Sequence, residues 1–270
     1  MDREPDRNRE PAVAGHFYPA SEERLWVEVA ALLGPPAHPR PALGVLAPHA
    51  GYVYSGKVAG ETWARVEVPA RAVVLCPNHT GLGARVALWP GGGWCTPLGR
   101  VPIDAALTAA LRACPLVEDD RVAHLREHAL EVQLPFLQAR RSGVAIAALC
   151  LGSLSAGECE ELGRAIAAAV RDRPALLVAS SDMSHYVPAD VARTLDEHAL
   201  ARFLALDARG LLETVRREDI SMCGVVPATV MLAAARELGA TRAELVRYAN
   251  SGDASGDFES VVGYAGALVY

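Results

Sequence analysis

Lysine is almost absent from this 270-residue chain. Lys57 is the only one, and 26 basic side chains face 32 acidic ones for a formal net charge of −6. Binding a phosphate backbone needs clustered Lys and Arg, so this balance gives no support for a nucleic-acid partner. The six cysteines (Cys76, Cys95, Cys114, Cys150, Cys159 and Cys223) include no CxxC pair and no short regular spacing. That argues against a disulfide framework and against a structural zinc ribbon. The opening segment, MDREPDRNRE, lacks the apolar stretch of a secretory leader. No apolar run reaches the roughly 18 residues of a membrane helix, and neither linker nor repeat divides the chain. These absences predict a cytoplasmic protein with no membrane partner.

What is present alternates. Short apolar runs at Leu43–Ala47, Ala72–Leu75, Val144–Leu149 and Ala175–Ala179 are bounded by polar, Gly or Pro residues and have the length of buried strands. Between them lie helical patterns at about 55–66, 104–113, 125–140, 156–171, 189–206 and 225–238, after a first helix capped by Ser21 and running to Leu33. Pro135 should kink or split the pattern at 125–140, because it removes a backbone donor. The stretch from Arg85 to Ile103 looks like a β-excursion, and Ser260–Tyr270 like a closing strand. The prediction is an α/β fold: residues 1–10 flexible, then a single domain over 11–270 with a mostly parallel central sheet covered by helices on both faces.

Three of the apolar runs lead at once into polar text: PHAGY with His49, CPNHTG with His79, and SSDMSHY with Asp182 and His185. Open parallel sheets bind ligands outside the carboxyl ends of their strands, so these loops should converge despite their separation in sequence. A fourth element, SMCGVVPATVMLAAA, sets Cys223 at or just before the start of a long apolar helix, where the helix dipole should favour the thiolate. In EHALEVQLPFLQ, Glu127 and Glu131 are four apart and would share a helix face with His128 beside them. Together they could form an outer layer of acceptors orienting ligand histidines. YANSGD, with Tyr248, is a Gly/Ser turn cluster too weak to name a site by itself.

The motifs GHFYPA, PHAGYVYSG, PNHTG, EHALEVQLPFL, SSDMSHY, MCG and YANSGD occur here in the order in which they occur in the Memo family (mediator of cell motility). Its bacterial and archaeal members are often labelled AmmeMemoRadiSam system protein B. The resemblance runs from about Arg9 to the C-terminus. It implies a fold like that of the class III extradiol dioxygenases, and a metal site of His49, His79 and Cys223. It also places His185 where those dioxygenases carry an acid–base histidine, with Asp182 in the same loop, and suggests a radical-SAM protein as partner. The sequence departs from the family at Phe17, which stands where eukaryotic members linked to phosphotyrosine-peptide binding carry a tryptophan.

Two imidazoles and a thiolate leave open positions on a metal and suit iron, copper or zinc rather than magnesium or calcium. Iron is favoured by the implied fold. The leading expectation is a metal-dependent redox or dioxygenase-like enzyme acting on a small aromatic or heterocyclic substrate, with His185 moving the proton, Asp182 orienting it, and Phe17, Tyr54 and Tyr248 shaping the pocket. One alternative is a non-catalytic metal- or peptide-binding protein using the same pocket. Another is a thiol hydrolase with Cys223 as nucleophile, which needs that sulfur within hydrogen-bond reach of a histidine.

Overall fold

In the computed structural model, residues 8–35 and 38–270 are described. The main sheet has nine strands, β1 (Gly44–Ala47), β2 (Arg71–Pro77), β3 (Val86–Leu88), β4 (Glu118–Asp119), β5 (Ala145–Leu151), β6 (Leu176–Ser180), β7 (His185–Val187), β8 (Ala243–Asn250) and β9 (Val261–Val269), and the four apolar runs become β1, β2, β5 and β6. All belong to one nine-stranded sheet, in the order β7-β9-β1-β6-β2-β5-β3-β4 with β8 paired to β9. The four middle strands, β1, β6, β2 and β5, run parallel. The flanks do not follow suit: β9 is antiparallel to β1, β7 and β8 are antiparallel to β9, and β3 is antiparallel to β5. The mostly parallel sheet read from sequence is therefore a parallel centre inside a mixed sheet. For β8 and β9 the connection, which holds only the helical turn Gly252–Ser255, is shorter than the crossover a parallel pairing would need.

Alternation along the central strands sends side chains to two separate cores. Val73 and Leu75 of β2 pack with Ala147, Leu149 and Leu177 on one face; Ala72, Val74 and Cys76 pack with Ile146, Ala148 and Val178 on the other. Helices α1 (Glu22–Leu33), α2 (Tyr52–Ala64) and α4 (Leu134–Arg140) cover the second face. Helices α3 (Ala105–Leu111), α5 (Ala156–Val170), α6 (Ala189–Leu204), α7 (Ala208–Arg217) and α8 (Val225–Glu237) cover the first. Burial on both faces is what a central parallel strand requires, and it explains their unbroken apolar text. Among the described residues, no helix is long and apolar enough to cross a membrane. All six cysteines are free thiols.

Two expectations fail. The helix foreseen over 125–140 is broken: short 3-10 turns at Val122–His124 and Glu131–Gln133 precede α4, which starts at Leu134 with Pro135 in its first turn. Pro135 has no N–H to give, and the Ala129 N–H is taken by the Glu127 carboxylate instead of a helical carbonyl. Glu127 and Glu131 consequently do not share a helix face.

Nor does Arg9 fit the flexible segment expected over residues 1–10. Residues 1–7 lie outside the described residues, but Arg9 is buried. Its guanidinium pairs with buried Glu131, donates to the carbonyls of His124 and Glu127, and lies over the Trp94 ring. Glu131 further accepts the backbone N–H groups of Ala12 and Val13 and the Tyr18 hydroxyl. Its contacts thus anchor the N-terminal segment, and none of them is with the histidines that Glu131 was expected to support.

Breaking a buried ion pair leaves the partner charge stranded, so Arg9→Ala should lower unfolding free energy by about 3–5 kcal/mol. Urea denaturation followed by circular dichroism checks this. A loss within experimental scatter would mean that the Arg9–Glu131 pair does not anchor the segment.

Candidate metal centre

The site forms where the sheet ends. β1, β6 and β2 are neighbours, and their carboxyl ends release His49, Asp182 and His79 on the same edge. Cys223 arrives from the opposite end of the sequence, just before α8. Gly224 makes that approach feasible: a β-carbon there would sit 2.3 Å from the Ser180 carbonyl oxygen and 2.4 Å from Ser181 Cβ. Its N–H also donates to Ser181 Oγ at 3.0 Å. One ligand atom each from His49, His79 and Cys223 lie within 4.8 Å of one another, so these three residues could hold a metal ion. Cys223 Sγ is 3.3 Å from His49 Nε2, and the His49 and His79 ring centroids are 5.2 Å apart.

The hydrogen bonds decide which nitrogen each ring turns toward that point. Trp63 Nε1–H can only donate, and it donates to Gln133 Oε1. This aims the Gln133 amide nitrogen at Ser180 Oγ and at the Pro48 carbonyl, both at 2.9 Å. The single proton of Ser180 goes to the Ala129 carbonyl at 2.6 Å, so Ser180 Oγ must accept from His49 Nδ1 at 2.9 Å. His49 is therefore the Nδ1–H tautomer, with the Nε2 lone pair facing Cys223. His79 is oriented by a different partner: the buried Glu127 carboxylate takes its backbone N–H at 2.7 Å and its Nδ1–H at 2.9 Å. Its Nε2 lone pair is left open as well. Acceptors on the far nitrogen are what hold metal-binding imidazoles in place.

Electrostatics favour the ligating form at His49 but not at the other two residues. Burial, then the nearby His128, His79 and His185, push the His49 pKa well below its usual value, which keeps the ring neutral and able to ligate. For His79 burial works against charge, but the Glu127 hydrogen bond and carboxylate outweigh it and raise the pKa. Burial would likewise raise the Glu127 pKa, and the bond from His79 reverses that, leaving it lowered. The expectation that a helix terminus favours a Cys223 thiolate is not met. Burial and the Asp182 carboxylate push the thiol pKa up, more than the N–H groups of Asp182 and Gly224 pull it down. A cation would have to displace the proton.

The other candidate residues divide. Phe17, Tyr54, His128, Asp182 and His185 line, together with His49 and His79, a cleft of about 630 Å³; Cys223 lies behind His49 and is not among its lining residues. His128, expected among the outer acceptors, instead stands inside the cleft. It is stacked on His79 at 4.9 Å and tilted against Phe17 at 4.7 Å, and forms a second group with His79 and Glu127 that could hold a cation. Asp182 Oδ1 accepts the His49 backbone N–H at 2.8 Å, and burial lifts its pKa to about 6. Asp182 does not orient His185, however. His185 Nδ1 donates to the Ser221 carbonyl at 2.9 Å, and Ser221 Oγ takes the His185 backbone N–H. Tyr248 is not a wall of the cleft: its hydroxyl donates to buried Asp196 at 2.7 Å. The sequence reading missed Ser180 and Trp63, which act through buried hydrogen bonds, and Tyr186 and Tyr264, which line the cleft. The serine pair at the end of an apolar run was the only signal for Ser180.

Comparison with known proteins gives one answer. The family described as Memo-like protein matches residues 9–268. A MEMO1 family protein of Aquifex aeolicus is 44% identical over 265 residues, 97% of this chain and 99% of that one. One from Methanopyrus kandleri is 43% identical over 279 residues, covering 97% and 98% of the two chains. Among solved structures, an uncharacterized protein of Escherichia coli K12 superposes with a TM-score of 0.59 at 18% identity, over 83% of this chain and 98% of that one. That likeness is one of fold alone.

If Glu127 sets the His79 tautomer, Glu127→Gln should weaken metal affinity about 10- to 100-fold, because the amide cannot accept both N–H groups. Competition against a chromogenic chelator measures this. An unchanged affinity would remove Glu127 from the site.

Proposed function

Because this chain belongs to the Memo-like family, we propose that His49, His79 and Cys223 hold one transition-metal ion at the floor of a substrate cleft. On this reading the protein is a metal-dependent redox enzyme, dioxygenase-like, acting on a small aromatic or heterocyclic substrate. The observation that carries it is the convergence of two Nε2 lone pairs and one sulfur within 4.8 Å beneath an aromatic-walled opening. When bound, such an ion supplies electron transfer and open positions for substrate. Iron is favoured because the fold resembles that of the extradiol dioxygenases, an argument by analogy; copper and zinc suit the same donors.

The remaining steps belong to the chain. His185 is held by Ser221 as the Nδ1–H tautomer, so its Nε2 can accept a proton from a hydroxyl group in the cleft. Asp182 fixes the His49 backbone and sets a carboxylate oxygen 4.0 Å from His49 Nε2, adding negative charge beside the ion's position. Phe17 and Tyr54 wall the opening and keep an aromatic substrate against the ligands.

A thiol-hydrolase reading has one observation in its favour, the 3.3 Å contact of Cys223 with His49. It fits less well, since burial and Asp182 raise the thiol pKa where a nucleophile needs it lowered. Activity that survives chelation would favour it. Tight metal binding with no turnover across an aromatic panel would favour a non-catalytic metal- or peptide-binding protein.

After anaerobic purification, metal analysis of Cys223→Ala and His79→Ala should give less than about a tenth of wild-type content, with both variants still folded by circular dichroism. Full occupancy in both variants would overturn the assignment. His185→Ala should keep the metal and lower turnover by about 10²–10⁴-fold. Unchanged turnover would cost His185 its proton-transfer role.

A further inference from the structure

The cleft is electrically lopsided. At its floor stand the imidazoles and buried Asp182; at its mouth stand the exposed Asp257 and Tyr186. Four aromatic rings, those of Phe17, Tyr54, Tyr186 and Tyr264, line the space between, and none of the described residues lining it is Lys or Arg. A phosphate or carboxylate on the outer part of a ligand would find no cation there and would face the Asp257 carboxylate. An ammonium group would meet that carboxylate among tyrosine rings, and both kinds of group can attract it. The floor, by contrast, suits an oxygen donor.

Tyr186 adds a second, independent observation. Its backbone lies in the left-handed region (φ 57°), at a register shift between His185 and Val187 in the pairing of β7 with β9. A bulky side chain is disfavoured in that conformation, and glycine or asparagine would sit there with less strain. The ring is nonetheless placed at the cleft mouth, 78% exposed, with its edge to the His185 ring at 5.7 Å. Such strain is retained where the side chain serves a site.

Building on the metal-centre reading, we propose that the cleft takes a phenolic amine: the ring hydroxyl toward the floor, the ring covered by Tyr186, and the ammonium group toward Asp257. Tyr186 and Asp257 are then the specificity-determining residues of the cleft. The class excludes phosphorylated and carboxylated aromatics, which the mouth would repel.

The test uses the full chain loaded with cobalt(II), whose visible spectrum reports metal loading and ligand entry in the same cuvette. Tyramine should bind about tenfold more tightly than p-cresol and more tightly still than 3-(4-hydroxyphenyl)propionate. Asp257→Asn should bring the three within about threefold of one another. Tyr186→Gly should weaken tyramine about two- to tenfold while leaving the melting temperature the same or higher, a combination that a merely structural role would not give. Equal or tighter binding of the propionate overturns the proposal, as does an Asp257→Asn variant that keeps the wild-type preference or a Tyr186→Gly variant that keeps the wild-type affinity. A cobalt spectrum that no phenol perturbs would overturn the proposal with the metal site still standing. Failure to load cobalt at all would overturn the metal-centre reading itself.

Discussion

The candidate centre depends on the far nitrogen of each imidazole, His49 and His79, being occupied. Ser180 takes His49 Nδ1–H and Glu127 takes His79 Nδ1–H, so each ring has one tautomer and one open nitrogen. Neither acceptor is free to do otherwise. Ser180 spends its only proton on Ala129, and Gln133, pinned by Trp63, donates to it from the other side. Glu127 is closed off by the His79 and Ala129 N–H groups. A buried network satisfied at every member is stiff, and a ligand set held stiffly needs little reordering to take an ion. The far ends of this network lie in the core, in α2 and in the turn before α4, so the geometry of the centre is set by the packing of that face of the sheet.

The same face explains the N-terminal segment. Arg9 joins Glu131 and the carbonyls of His124 and Glu127, while Glu131 gathers the backbone at Ala12 and Val13 and the Tyr18 hydroxyl. The turn that presents Glu127 and His128 is thereby tied to the N-terminal segment that presents Phe17. Phe17 then packs at a tilt against His128, and its carbonyl receives the Tyr52 N–H at the start of α2. One buried arginine thus couples the outer wall of the cleft to the acceptor that orients a ligand on its floor.

Much of this was legible. Continuous apolar runs gave the four central strands, because strands buried on both faces have no polar side to hide them. Their carboxyl ends gave His49, His79 and Asp182, because parallel strands put all such ends on one edge. Other features left no trace of that kind. β8 is partly exposed along nearly its whole length and carries Glu244 and Arg247, so it shows no run and no alternation. The pattern at 125–140 has helical spacing, but spacing does not reveal that Glu127 will claim a backbone N–H or that Pro135 will open a new helix. Glu131 looked like a neighbour of Glu127 because i,i+4 residues meet on a helix. Off the helix they part, and Arg9, 122 residues away, becomes its partner. Tyr248 sat beside a suggestive turn, and only the fold shows it facing Asp196.

The position of Cys223 carries the last constraint. Its sulfur and the Asp182 carboxylate are buried together, with the Asp182 N–H donating to Sγ at 3.3 Å. Burial raises both pKa values, and the Asp182 carboxylate raises that of Cys223 further, so the two acids resist ionising together without a counter-charge. Neutral His49 supplies none. A divalent cation would balance both at once, and it would do so where two lone pairs already point. The late-sequence thiol closes a site that the sheet edge leaves one donor short, and it is Gly224, lacking a β-carbon against Ser180, that lets the thiol reach it.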